Sequence, residues 1–186
     1  MTSATAPVST QRAPELAGQT VVVIGGSAGI GLETARRARA EGADVILTGR
    51  NPDRLKQAAL ELGAQRTAAF DANDAAALER FFQDLPTPID HVMVTAGGPR
   101  YGPLLEMDSA EVRQAISEHV VQALEVARNA AGKMRPGGTL VLMGGTGGRR
   151  VGHGLGIASA ATAALPPFTA ALALELAPVR VSPSTL

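Results

Sequence analysis

Apolar and polar positions along this chain follow two alternating rhythms. Short, nearly unbroken apolar runs lie at 20–26 (TVVVIGG), 44–49 (DVILTG) and 137–145 (GGTLVLMGG). Runs of that length, rich in β-branched residues and stopped by glycine, predict strands covered on both faces. Weaker runs at 66–70 (RTAAF), 89–98 (IDHVMVTAGG, strand plus exit loop) and 179–182 (VRVS) complete the predicted strands. Between them the period lengthens to that of helices. Residues 29–43 predict a helix with Ile30, Ala35 and Ala38 on its apolar face and Gly42 closing it. Asn51 and Pro52 read as a cap and first helical position, for a helix reaching about Leu62–Gly63. Asp71 to Asp74 lead into an amphipathic helix, AAALERFFQDL. Asp108 and Glu111 have the spacing of a capping box ahead of a helix that runs to about Met134. Alternating strands and helices predict an α/β fold: a doubly wound parallel sheet in three α/β/α layers.

One predicted helix stands apart. GLGIASAATAALPPFTAALAL, residues 154–174, carries no charge and by count alone is long enough to span a bilayer. Its apolar positions are mostly Ala, and Gly154, Gly156, Ser159, Thr162 and Thr169 interrupt them, so it reads as a helix of the folded domain rather than a membrane span. Pro166 and Pro167 predict a kink or a restart, because each removes an N–H and crowds the preceding turn.

Composition narrows the function. Lys and Arg number 17, as do Asp and Glu, and the formal charge is zero. That balance carries no footprint for nucleic acid. Four Phe, one Tyr and no Trp are too few to build base-stacking platforms. The absence of Cys removes disulfides and thiol chemistry and fits a reducing, cytoplasmic setting. His91, His119 and His153 are scattered without metal-ligand spacing, so no metal is expected. The opening MTSATAPVSTQRAP lacks the order of a signal peptide. Residues 1–15 read as a flexible tail and 16–186 as one dinucleotide-binding domain.

The chemistry concentrates at VVVIGGSAGIG, residues 21–31. Gly25, Gly29 and Gly31 fall at a strand-to-helix turn, where free amides and the helix's positive end favour a phosphate. The following strand ends LTGR. An acidic residue that would grip a ribose 2′-hydroxyl is expected there, and Thr48, Gly49 and Arg50 stand instead. Room at Gly49 and a planar cation at Arg50 favour a 2′-phosphate, hence NADP(H) over NAD(H).

With these motifs in order, the chain resembles the short-chain dehydrogenase/reductase family over about residues 15–183. GGSAGIG (25–31) is similar to the family's cofactor loop, Asp71–Ala72 to its adenine contact, and TAGG (95–98) to its N-A-G segment. LALELAPVRVS (172–182) is similar to the long helix leading into the sixth strand. The resemblance implies a Rossmann-type fold and a cofactor set of Gly25, Ser27, Ala28, Gly29, Ile30, Gly31, Arg50, Asp71, Ala72, Thr95, Ala96 and Gly97. It also implies chemistry by a Tyr and a Lys four residues apart, a Ser and an Asn. Reduction of a carbonyl creates an alkoxide that must be protonated, and a nearby Lys⁺ lowers the Tyr pKa for that task. Aligned to the family, this chain places Ile157 and Ala161 at the Tyr and Lys positions, Gly144 or Gly145 at the Ser, and His119 at the Asn. It ends at Leu186, ahead of the family's last substrate loop and strand, so that region is expected to be absent.

Three residues are candidates for a replacement proton donor. His153 lies in the loop after the fifth predicted strand, Tyr101 in the loop after the fourth, and His119 in the long helix. The leading expectation is an NADP(H)-dependent oxidoreductase with a non-standard site, acting on a small carbonyl or alcohol. The alternative is a catalytically inactive NADP(H)-binding pseudoenzyme, regulatory or scaffold subunit; a non-redox enzyme that kept the fold is a third reading. Small residues in the uncharged helix predict a homo-oligomer, dimer or tetramer, packed through helices 108–134 and 155–177, with no nucleic-acid or membrane partner.

Overall fold

The computed structural model describes residues 15–184; the predicted N-terminal tail, apart from Glu15, lies outside them. The strands are β1 (Thr20–Ile24), β2 (Asp44–Gly49), β3 (Arg66–Ala69), β4 (Ile89–Val94), β5 (Met134–Met143) and β6 (Arg180–Ser184). All pair in parallel, in the order β3-β2-β1-β4-β5-β6. Order reverses between β1 and β4, which opens a crevice at the carboxyl ends of the strands, where folds of this kind bind ligands. The helices are α1 (Gly29–Ala40), α2 (Pro52–Leu62), α3 (Ala75–Gln83), α4 (Ser109–Ile116), α5 (Gln122–Ala131) and α6 (Gly156–Glu175).

The central strands are apolar because both faces are covered. Val22, Ile24, Val92 and Leu140 face α3, α5 and α6, in a core with Leu78, Phe82, Val126 and Leu172. Val21, Val23, Val45 and Leu47 face α1 and α2, in a second core with Ala35, Leu55 and Leu62. On that second side the cover stops at β1. His91, Met93, Thr139 and Val141 are therefore only half-buried. His91 Nε2 lies 2.7 Å from Gln19 Oε1. Burial lowers the His91 pKa from its ordinary value, Asp90 opposes that and Arg180 adds to it.

Local chemistry sets most boundaries as the sequence implies. Asn51 Oδ1 accepts from the Arg54 amide at 2.9 Å and Asp74 Oδ1 from the Ala77 amide at 3.0 Å, so both helix starts are capped. The capping box at Asp108 does not form: its side chain makes no cap bond, although its backbone is extended as a cap requires. The single helix expected from 108 to 134 is instead α4, a π turn at Ser117–Val121 and α5, with β5 starting at Met134. Nor do Pro166 and Pro167 break the next helix, which runs without interruption over its 20 residues. The Thr169 hydroxyl donates to the Pro166 carbonyl at 2.9 Å within that turn. Helix α6 is apolar and long enough to cross a membrane, yet 39% of its most apolar window is buried in the fold. It packs against the π turn, α4 and β6.

Candidate functional site

The crevice at the carboxyl ends of β1, β2, β3 and β4 is a cavity of about 490 Å³. Its floor is the turn from β1 into α1. Gly25 there has φ +95, and a Cβ would lie 2.7 Å from the Ala96 amide nitrogen. A Cβ at Gly31 would overlap the Gly25 carbonyl oxygen and sit 2.5 Å from Thr95 Oγ1. Glycine is required at both positions because α1 begins in contact with the neighbouring loop. Thr95 ties the two loops together: its hydroxyl lies 3.2 Å from the Ile24 carbonyl and 3.1 Å from that of Gly25. Thr48 Oγ1 accepts from the Gly25 amide from the other side, at 3.4 Å. The turn is held rigidly with the start of α1, whose first amides have no carbonyl ahead of them.

Of the residues expected to hold a cofactor, Gly25, Ser27, Ala28, Arg50, Asp71 and Ala72 line this cavity, and Thr95, Ala96 and Gly97 close its other wall. Gly29, exposed with φ +55, and buried Gly31 belong to the turn but do not line this cavity. Ile30 departs from its expected place on the packed face of α1. It is 41% exposed and lines a neighbouring cavity, while Ala35 and Ala38 are buried as expected. The room expected at Gly49 is taken up by the neighbouring turn: Gly49 is buried, and a Cβ there would meet Ser27 Oγ at 2.7 Å. Arg50 and Arg54 both stand at the β2 end of the cavity, and among the described residues no carboxylate pairs with either. Sequence reading missed Arg54, one turn into α2, although the Asn51–Pro52 helix start fixes its place. It also missed Asn73, Arg100, Glu118 and Gln122, which come from loops and helices whose approach to the crevice no local motif announces. Buried Gln122 donates to Asn73 Oδ1 at 3.1 Å and ties α5 to the loop after β3.

A dinucleotide fits this cradle. Glycines admit close approach at the middle, Ser27 and Ala28 line it just ahead of the first turn of α1, and at one end stand two guanidinium groups that no carboxylate among the described residues pairs with.

The second cavity, also about 490 Å³, opens on the same crevice and shares Thr95 to Pro99, Glu118 and Gln122 with the first. Ile30, Val94, Leu142, Met143 and Leu165 make much of its wall apolar. Besides Leu165, α6 contributes Ala158 and Thr162, four residues apart, to this wall. Ile157 and Ala161 point elsewhere, buried at 6% and 0% exposure. The helix face that meets the cavity thus carries Ala158 and Thr162, each one residue on from the positions expected for the Tyr and the Lys. At the end of β5, a Cβ on Gly145 would find only Thr162 Cγ2, at 4.0 Å, whereas one on Gly144 would meet the Ser184 carbonyl at 3.3 Å. Gly145 is thus the place with room for a side chain.

The three proton-donor candidates separate. His153 is exposed on its loop and lines neither cavity, so the structure does not bring it to the site. Tyr101 lines the second cavity but is 65% exposed at its rim. His119 lies on the π turn inside the cavity wall, partly buried, with Nδ1 3.0 Å from the Ala115 carbonyl oxygen. Beside it Glu118 accepts from Arg100 at 3.1 Å and from Gln114 at 2.9 Å. No cluster of metal-ligating side chains occurs among the described residues.

Comparison with known proteins agrees with this architecture. The family model for short chain dehydrogenases matches residues 19–185. The short-chain dehydrogenase/reductase ATR9 of Stachybotrys chlorohalonatus is 29% identical over 186 aligned residues, covering 91% of this chain and 73% of that protein. The cyclic-di-GMP-binding biofilm dispersal mediator protein of Escherichia coli is 30% identical over 164 residues, covering 87% of this chain and 68% of that one. Among solved structures, BdcA in complex with NADPH superposes with a TM-score of 0.83 at 27% identity, covering 91% of this chain and 70% of that chain.

Proposed function

The chain belongs to the short-chain dehydrogenase family, and from that premise we propose that it is an NADP(H)-binding oxidoreductase acting on a small carbonyl or alcohol through a non-standard active site. The family binds nicotinamide cofactors. The observation that carries the choice of NADP(H) is the pair of unpaired arginines, Arg50 and Arg54, at the end of a cavity where β2 offers no carboxylate. A 2′-phosphate matches two guanidinium groups, and a ribose 2′-hydroxyl would leave both without a partner. The NADPH-bound neighbour BdcA supports the same reading.

Gly25, Ser27, Ala28 and the first amides of α1, at Gly29, Ile30 and Gly31, would hold the pyrophosphate. Asp71 and Ala72 would border the adenine, and Thr95 to Gly97 the nicotinamide half. The bound cofactor supplies or accepts hydride. The protein's part is to orient a carbonyl in the second cavity, keep its apolar body dry and exchange a proton with its oxygen. Fluorescence titration with NADPH and NADH tests the reading, with NADPH expected to bind at least tenfold more tightly. Equal or better NADH binding would refute the role given to the arginines.

A second reading is favoured by one observation: Gly145, Ala158 and Thr162 line the second cavity, at the positions where the family resemblance implies a Ser, a Tyr and a Lys. A regulatory subunit that binds NADP(H) without turnover would need none of them. The name of the E. coli relative, a nucleotide-binding mediator protein, is consistent with such a role. NADPH binding with no oxidation across a panel of carbonyls would favour it.

We further propose a cytoplasmic homo-oligomer with no membrane or nucleic-acid partner. Exposed Ala160, Ala163, Pro167, Ala170 and Leu174 make an uncharged stripe on α6. Light scattering of the purified chain tests this, and a monomer that persists at high concentration would contradict it.

A further inference from the structure

We infer that His119 is the group that exchanges the reaction's proton, taking over in this chain the task that a tyrosine performs elsewhere in the family. The inference rests on the oxidoreductase reading above. Three observations carry it. His119 sits on a π turn, a local distortion frequent at functional sites, in the wall of the second cavity. A carbonyl oxygen can only accept, so the 3.0 Å contact with Ala115 fixes the proton of the neutral ring on Nδ1 and leaves Nε2 as the exchanging nitrogen. The hydrogen bond also fixes the ring's orientation, as a general acid requires.

The other candidates in that cavity are disqualified by their surroundings. Glu118 Oε1 already accepts from both the Arg100 guanidinium and the Gln114 amide, so this carboxylate is committed to those donors and not to a substrate oxygen. Tyr101 is 65% exposed at the rim. From α6 and β5 the groups facing the cavity include Ala158, Thr162, Met143 and Thr146, and none from those elements titrates near neutral pH. The ionisable neighbours of His119 at this cavity are thus Glu118, paired with Arg100, and Tyr101.

In the reduction of a ketone, the carbonyl carbon gains a hydride from the reduced nicotinamide and its oxygen gains the proton on Nε2. The C=O π bond breaks, one C–H and one O–H bond form, and the imidazolium becomes imidazole, which takes a proton back from water. In alcohol oxidation the neutral Nε2 accepts the proton.

The test uses the whole chain, NADPH, and 9,10-phenanthrenequinone as a reactive diketone. Three histidines make a readable ring ¹⁵N spectrum, in which His119 is assigned by its loss in His119→Gln. Three results are expected. The neutral His119 ring shows the Nδ1–H form. Its titration midpoint coincides with the pH at which wild-type kcat/KM falls as pH rises. His119→Gln, and separately His119→Asn, bind NADPH within about threefold of wild type yet lose at least 100-fold in kcat, in the range of a lost general acid. If wild type turns over and either variant keeps its rate within threefold with an unchanged pH profile, the inference fails alone. Wild type that binds NADPH but does not reduce the diketone overturns the inference and leaves the regulatory reading. Absence of NADPH binding by wild type overturns the proposed function itself.

Discussion

Replacing Gly31 with Ala should damage both the fold and the site, by an amount that the geometry sets. The new Cβ would overlap the Gly25 carbonyl oxygen and lie 2.5 Å from Thr95 Oγ1, roughly 1 Å inside ordinary contact. The first obstacle is backbone. The second is a hydroxyl already held against the Ile24 and Gly25 carbonyls. Neither yields without moving α1 away from the loop after β4. Overpacking of this kind costs about 1–3 kcal/mol, and the fixed backbone places this site near about 3 kcal/mol. With a urea slope of about 2 kcal/mol/M the midpoint falls by about 1.5 M. Two further variants separate mechanisms. Gly29→Ala meets no atom but must hold φ +55, a strain of about 1–2 kcal/mol. Gly132→Ala, with φ −77 and open space around it, should be neutral or stabilising by up to about 1 kcal/mol. NADPH affinity should fall at least tenfold in Gly31→Ala and stay unchanged in Gly132→Ala. A Gly31→Ala chain that unfolds within 0.3 M of wild type and binds NADPH normally would refute the argument that this glycine is required by close packing.

That comparison shows what could be read from the chain directly. The strand runs, the Asn51 cap and the glycine turn were legible because each is local: period, capping and positive φ depend on a few neighbouring residues. Long-range effects were not. The capping spacing at Asp108 does not become a capping bond. The break expected at Pro166–Pro167 is absent. The π turn that presents His119 has no sequence signature, and the almost uniformly apolar sequence of α6 does not announce that Ala158 and Thr162 meet the cavity while Ile157 and Ala161 are buried away from it. An alignment assigns residues to columns, whereas a helix face is set by packing of the whole element, so a shift of one position redirects a side chain by about 100°. Arg100 and Glu118 approach the site from elements 18 residues apart, and no spacing rule links them.

Two further predictions follow from the same geometry. The triple variant Gly145→Ser, Ala158→Tyr, Thr162→Lys restores the family's side chains at the positions that face the second cavity. It should gain at least tenfold in ketone reduction over wild type by NADPH oxidation, and the control set at Gly145, Ile157 and Ala161 should gain nothing and lose stability. His91 is half-buried, and its pKa lies below the ordinary 6.5 chiefly through burial. The unfolded chain therefore binds a proton more readily than the folded one, and the stability that neutral His91 contributes is lost as pH falls below about 6.5. Melting curves from pH 7.5 to 5 should show a steeper acid loss for wild type than for His91→Gln, and parallel curves would contradict the assignment.

The central claim is that this crevice holds NADP(H) and selects it through the unpaired arginines at the end of β2 and in α2. The most direct measurement is titration of wild type and of Arg50→Ala/Arg54→Ala with NADPH and NADH, by nucleotide fluorescence at one fixed salt concentration. The account predicts NADPH binding at least tenfold tighter than NADH in wild type. It also predicts a loss of about 2–3 kcal/mol in NADPH binding on removing both guanidinium groups, and NADH affinity unchanged within threefold. Wild type that binds NADH as well as NADPH, or a double variant that keeps the preference, would contradict it.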